Sequence, residues 1–195
     1  MPEEKRKIMD TTANPAPLGL AAFGMTTVLL NLHNAGLFNM GTMILGMGIF
    51  YGGIAQVIAG IMEWKKGNTF GTIAFTSYGF FWLSLVALLV IPKEIGAKND
   101  NAAMIAYFAM WGVITLCFFF CTLKSHRALQ FVFASLTILF FMLAIRELTG
   151  NAVVATITGI EGIICGLSAI YTAIALVMNE VFNRVILPIW PVRQN

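Results

Sequence analysis

Polar breaks divide the chain into six apolar segments, at about residues 18–36, 40–64, 69–91, 102–123, 128–148 and 152–178. Each approaches or exceeds the roughly twenty residues that carry a helix across a hydrocarbon core about 30 Å thick. The first is clean only to Leu32 and reaches spanning length by continuing through "HNAGLF". Pro92 and "KEIGAKNDN" close the third and make the longest loop. Residues 1–13 form a polar leader, and residues 179–195 a tail whose Trp190 and prolines suit a membrane interface. The pattern predicts an all-α integral membrane protein, with one six-helix transmembrane domain over residues 14–178 and no soluble module.

The faces of these segments carry the candidate chemistry. Asn14, Pro15 and Pro17 open the first segment. Asn14 can take up free N–H groups, and proline is tolerated where backbone N–H groups have no intrahelical partner. Gly19, Phe23, Thr26 and Leu30 then share one face. In the second segment Gly48, Gly52, Gln56 and Gly60 step by four, a spacing that lets helix backbones approach. An amide in hydrocarbon needs partners, so Gln56 either bridges helices or faces a wet cavity. The last segment carries a polar stripe of Thr158, Glu161, Cys165, Ser168 and Thr172, opposite Ile163, Leu167 and Ile170. Glu161 lies well inside a span, so it is either a proton acceptor or a structural carboxylate bonded to a neighbouring helix. "GNTFGTIAFTSYG" and "GNAVVATITGIEG" open the third and sixth segments with the same Gly-Asn and close on Gly at the same spacing. An echo offset by three helices predicts a 3+3 inverted repeat, in which substrate sites sit near the midplane.

Composition sharpens the class. Hydrophobic residues make up 58% of the chain and charged residues 11%, against about 25% charged in soluble domains; lipid must be the solvent for much of the surface. The start "MPEEKRKIMD" lacks the apolar core and cleavage site of a signal peptide. No basic run points to nucleic acid. Cys117, Cys121 and Cys165 fall in apolar segments and read as small packing residues, and His33 and His126 lack partners at metal-ligand spacing, so no metal site is expected. No nucleophile–base set, P-loop or dinucleotide fingerprint is present, so neither an enzyme nor a cofactor is expected. Lys5, Arg6, Lys7, Lys65, Lys66, Lys124, Arg127, Arg184 and Arg193 fall on one side, against Lys93, Lys98 and Arg146 on the other. The positive-inside rule then puts both termini in the cytoplasm. Arg146 and Glu147 read as an interfacial anchor. A channel or gradient-driven transporter remains, with a membrane scaffold as the competing class.

"NPAPLGLAAFGMTTVLLNLHNAG" closely resembles the signature of the acetate uptake transporter family. "MGIFYGGIAQVIAGIMEWKKGNTFGTIAFTSYGFFWLSL", "TLKSHRALQFVFASLTILF" and "GNAVV" with "GIICGLSAIY" extend the resemblance in collinear order to the tail. It implies six-helix subunits assembled as homohexamers in the cytoplasmic (inner) membrane, each with its own path, and a fold similar to proton-gated urea channels. The implied substrates are acetate and succinate, moved with protons or through an anion channel. The family's apolar-aromatic constriction would correspond to Phe23, Tyr78 and Leu136, and its substrate-size position to Ala169. On this reading Thr26, Gln56 and Ser168 line the path, Glu161 tunes it, and acetate is preferred, since a second carboxylate raises the desolvation cost. A channel for another small solute, such as urea or a short amide, is the alternative within the same class.

Overall fold

The computed structural model describes residues 12–95 and 100–192. Six of its helices are long and apolar enough to cross a membrane: α1 Ala16–Asn34, α2 Thr42–Lys65, α3 Thr69–Glu94, α4 Asn101–Thr122, α5 Arg127–Thr149 and α6 Ala152–Val181. No named strand occurs among the described residues. Most of the expected leader, residues 1–11, lies outside the described residues, as do Lys98 and Arg193 of the charge count. α1 begins and ends two residues earlier than the apolar pattern indicates. Gly36, with φ +86°, turns the chain after Asn34 instead of continuing the helix through "HNAGLF". α6 runs three residues into the segment read as tail.

Local chemistry sets the helix ends. Pro15 occupies the cap position of α1 with helical dihedrals, and the side chain of Asn14 before it accepts the Ala16 N–H at 3.1 Å. Gly67 and Gly150 both take the left-handed conformation, at φ +71° and +57°. The asparagine that follows each caps the next helix: Asn68 accepts from Gly71 N–H, and Asn151 from Val153 N–H and Val154 N–H. The two Gly-Asn pairs thus do the same work at the starts of α3 and α6, which lie at opposite ends of the bundle.

α6 packs most extensively on α1, and α5 on both α4 and α6, while α2 packs on α1 and α3. The α1–α6 approach is close: a Cβ on Gly24 would stand 2.7 Å from the Gly166 carbonyl oxygen, and one on Gly166 2.7 Å from that of Gly24. α1 and α3 are not among the helices that pack closely on α5. The space between them is filled by large side chains, with Tyr78 and Phe81 of α3 meeting Phe133 and Phe140 of α5 at ring separations of 5.1–6.4 Å. Met47–Ala55 within α2 is π-helical. Thr26 of α1 lies against this widened turn, its hydroxyl bonded to the Ala22 carbonyl (2.8 Å) and near that of Met47 (3.5 Å). The tail folds back onto the start of α5: Arg127 N–H donates to Trp190 O, and Trp190 stacks on Tyr171.

Candidate substrate path

Two small cavities enter the bundle from opposite ends. The proximal one, about 90 Å³, opens where α1, α3 and α5 begin, and its wall includes Ala16, Glu63, Asn68, Gly71, His126 and Leu129. The distal one, about 100 Å³, opens where α1, α3 and α5 finish, beside Asn34, Leu89, Arg146 and Glu147. Phe23 and Leu136 line both. Tyr78 lines the proximal cavity with its ring 5.9 Å from that of Phe23, while Phe81 and Phe140 stand on the distal side. Phe23, Tyr78 and Leu136 are each almost fully buried. Residues on α1, α3 and α5 thus form an apolar collar between two opposed cavities.

The polar groups near the collar are few. The Tyr78 hydroxyl shares a 2.9 Å hydrogen bond with Thr115 of α4. Gln56, fully buried in the proximal wall, has no hydrogen-bond partner for either amide atom among the described residues, and Trp82 Nε1 in the distal wall is likewise unpartnered. Glu63 accepts a hydrogen bond from Asn68 Nδ2 at 2.8 Å. His126 caps α5 by accepting Leu129 N–H on Nδ1, and burial holds its pKa below the usual 6.5.

Several residues singled out in the sequence sit away from both cavities. Thr26 packs against Gly52 of α2, and Ala169 is fully buried without lining either cavity. Ser168 bonds the Cys165 carbonyl and faces a surface groove with Arg127 and Trp190. The hydroxyls of Thr158 and Thr172 bond back to their own helix, while the Cys165 thiol is directed at the Val132 carbonyl of α5. Only Leu176 of α6 lines either cavity. Glu161 accepts a hydrogen bond from Ser135, the neighbour of Leu136, and its second carboxylate oxygen is buried without a partner among the described residues. It therefore stands behind the collar. Cys117 and Cys121, read as packing residues, face outward. Arg146, read as an anchor, lines the distal cavity.

Family resemblance named Phe23, Tyr78 and Leu136, and sequence reasoning missed the rest of the aromatic lining, with Phe81, Phe133 and Phe140. Ala74, Tyr78, Phe81 and Leu85 on α3, and Phe133, Leu136 and Phe140 on α5, step by three and four. That spacing carried the signal.

The full-length match to a protein family decides the kinship: residues 1–194 match the GPR1/FUN34/yaaH family. The chain belongs to this family. Within it, the chain is 60% identical over 178 residues to the succinate-acetate/proton symporter SatP of Escherichia coli (strain K12), covering 91% of this chain and 95% of the relative. It is 33% identical over 195 residues to acetate permease A of Emericella nidulans, covering 91% of this chain and 65% of that one. The solved structure of the bacterial acetate channel SatP superposes with a TM-score of 0.89 at 59% identity, over 92% of this chain and 99% of that one. The six spanning helices and this family membership make the chain a multi-pass membrane protein.

Proposed function

We propose that the protein carries acetate, and succinate more weakly, across the cytoplasmic membrane along the path through its collar. The observation that carries this reading is that two cavities from opposite ends share Phe23 and Leu136 as a wall. An apolar collar resists hydrated inorganic ions by dewetting while making contact with a methyl group. The unpartnered N–H groups of Gln56 and Trp82, one on each side, can donate to a carboxylate, and so can Tyr78 when Thr115 is the donor in their shared bond. Among the described residues no Lys or Arg lines the collar, which favours weak binding and quick release. Succinate brings a second charge past the same residues at a higher desolvation cost.

On this reading the protein is a transporter or channel and not an enzyme. Asn14, Pro15 and Pro17 set where α1 starts and hence the depth of Phe23. Thr26 and Ala169 act from behind the collar by fixing helix spacing, Ser168 holds α6 locally, and Glu161 tunes the wall through Ser135. The lysines and arginines at the proximal end support cytoplasmic termini and insertion in the inner membrane. The equivalent Gly-Asn caps at the starts of α3 and α6 support the inverted repeat. The family resemblance supports a homohexamer.

Purified protein in liposomes tests the reading directly. Saturable uptake of labelled acetate, competed by succinate and not by urea, is the expected result; no flux would leave a scaffold. With the potential clamped, a reversal potential that follows the acetate gradient alone identifies an anion channel. Dependence on the proton gradient as well identifies symport.

A further inference from the structure

The distal cavity ends in a charged mouth. Leu136, Leu139, Leu143 and Arg146 step by three and four along α5, so Arg146 continues the face that carries the collar leucine. Ten residues of helical rise put it about 15 Å from Leu136. Across the gap between α5 and α1, Arg146 Nη1 donates to Asn34 Oδ1 at 3.0 Å. Asn34 Nδ2 in turn donates to Asn31 Oδ1 at 3.0 Å, and Asn31 Nδ2 to Thr27 O at 2.9 Å. All four residues line the distal cavity, forming a polar rail from its mouth to Thr27, one turn from Phe23. The facing wall, with Phe81, Trp82 and Leu85, is apolar or aromatic.

Among the described residues the charge that offsets the guanidinium is Glu147, in a long ion pair without a hydrogen bond. Glu147 Oε1 stands 4.0 Å from Arg146 Nε, beyond hydrogen-bond range. His33 is held through Nδ1 to the Phe38 carbonyl. Asp100 caps the start of α4 by accepting Ala102 N–H. Beside Arg146 and Glu147, Asn101 and Asn151 mark the starts of α4 and α6, whose N-termini add positive potential. The proximal cavity has the opposite character: Glu63 lines it, with no Lys or Arg among its described lining residues.

We infer that Arg146, held in place by Asn34, captures small carboxylate anions at the distal mouth and passes them to the Asn34–Asn31–Thr27 rail. The inference rests on the transport reading. A guanidinium fork suits a carboxylate, and only one of its donors is committed to Asn34. The rail keeps the charged end of the anion on the α1 side while the methyl group faces the aromatic wall. Being remote from the collar, Arg146 governs arrival of the anion and not its passage.

Binding of acetate to the purified protein, read from broadening of its methyl NMR resonance, tests this together with KM for entry from the distal face. Arg146→Gln should weaken both about three- to tenfold, as expected for one partly screened charge. The difference from the unsubstituted protein should close at high ionic strength. Arg146→Lys should recover part of the loss, and Glu147→Gln should tighten binding. Unchanged binding and salt dependence in Arg146→Gln protein of normal thermal stability would overturn the inference and leave Arg146 an interfacial anchor. If Arg146→Gln does not accumulate in the membrane, binding that is unchanged or weaker in Glu147→Gln overturns it instead. Absence of acetate flux in the unsubstituted protein would remove the transport reading and, with it, this role.

Discussion

Tyr78 carries the only hydroxyl in the collar, and it is already paired with Thr115. Tyr78→Phe keeps the ring contacts and deletes one donor. A hydrogen bond of about 1 kcal/mol corresponds to about a fivefold loss in acetate flux, measured in liposomes with the fold intact. Glu161 is different in kind, because its carboxylate accepts from Ser135 and lines neither cavity. Glu161→Gln should preserve most of the flux, and unchanged proton coupling in that variant would exclude it as the proton carrier. His126 gives a stability prediction outside the spans. Its Nδ1 must stay unprotonated to accept Leu129 N–H, and burial lowers its folded-state pKa below 6.5. As pH falls, the unfolded chain therefore takes up the proton first. The stability contributed by the neutral cap is complete above about pH 6.5 and is lost as pH falls from there toward the folded-state value. The melting temperature in detergent should fall over that interval, and His126→Asn, a cap that does not titrate there, should flatten the dependence.

At the scale of the helices, the α1–α6 pair is the tightest joint in the bundle. Gly166→Leu would drive a side chain into the Gly24 carbonyl, whose oxygen already stands 2.7 Å from where a Cβ would sit. Overpacking of this kind costs about 1–3 kcal/mol, so the variant should melt earlier and lose flux together. Pro15→Ala should instead spare insertion and impair flux, because it loosens the start that sets the depth of Phe23. The spans were legible because lipid demands long apolar runs with internally bonded backbones. The Gly-Asn caps were legible because a positive φ and an N-cap leave a local signature. The path was not legible in this way. Phe23 is one of sixteen phenylalanines, and a lipid-facing aromatic and a path-lining one look alike until neighbouring helices are placed. The polar stripe of α6 pointed elsewhere, because threonine hydroxyls in an apolar medium can bond their own helix carbonyls. Leu136 entered through family resemblance, and only its position in both cavity walls gives it a physical role.

In the whole molecule, α2 joins α1 to α3, while α6 joins α1 to α5 and α4 packs on α5. Side chains such as Tyr78 and Thr115 close the remaining gap between α3 and α4. Both cavities and the collar lie inside this ring, so a path through them would be complete within one subunit. The mass of the detergent-solubilised protein should equal six chains, while flux per chain should survive any substitution that lowers that mass without unfolding the subunit. On the proposed function the collar selects small carboxylates by size. The measurement that addresses it most directly is the ratio of lactate to acetate flux through purified Leu136→Ala protein in liposomes, compared with the unsubstituted chain. Removing the leucine side chain from the wall shared by the two cavities should raise that ratio while acetate still passes. An unchanged ratio, with the variant folded and acetate flux intact, would rule out size selection at the collar.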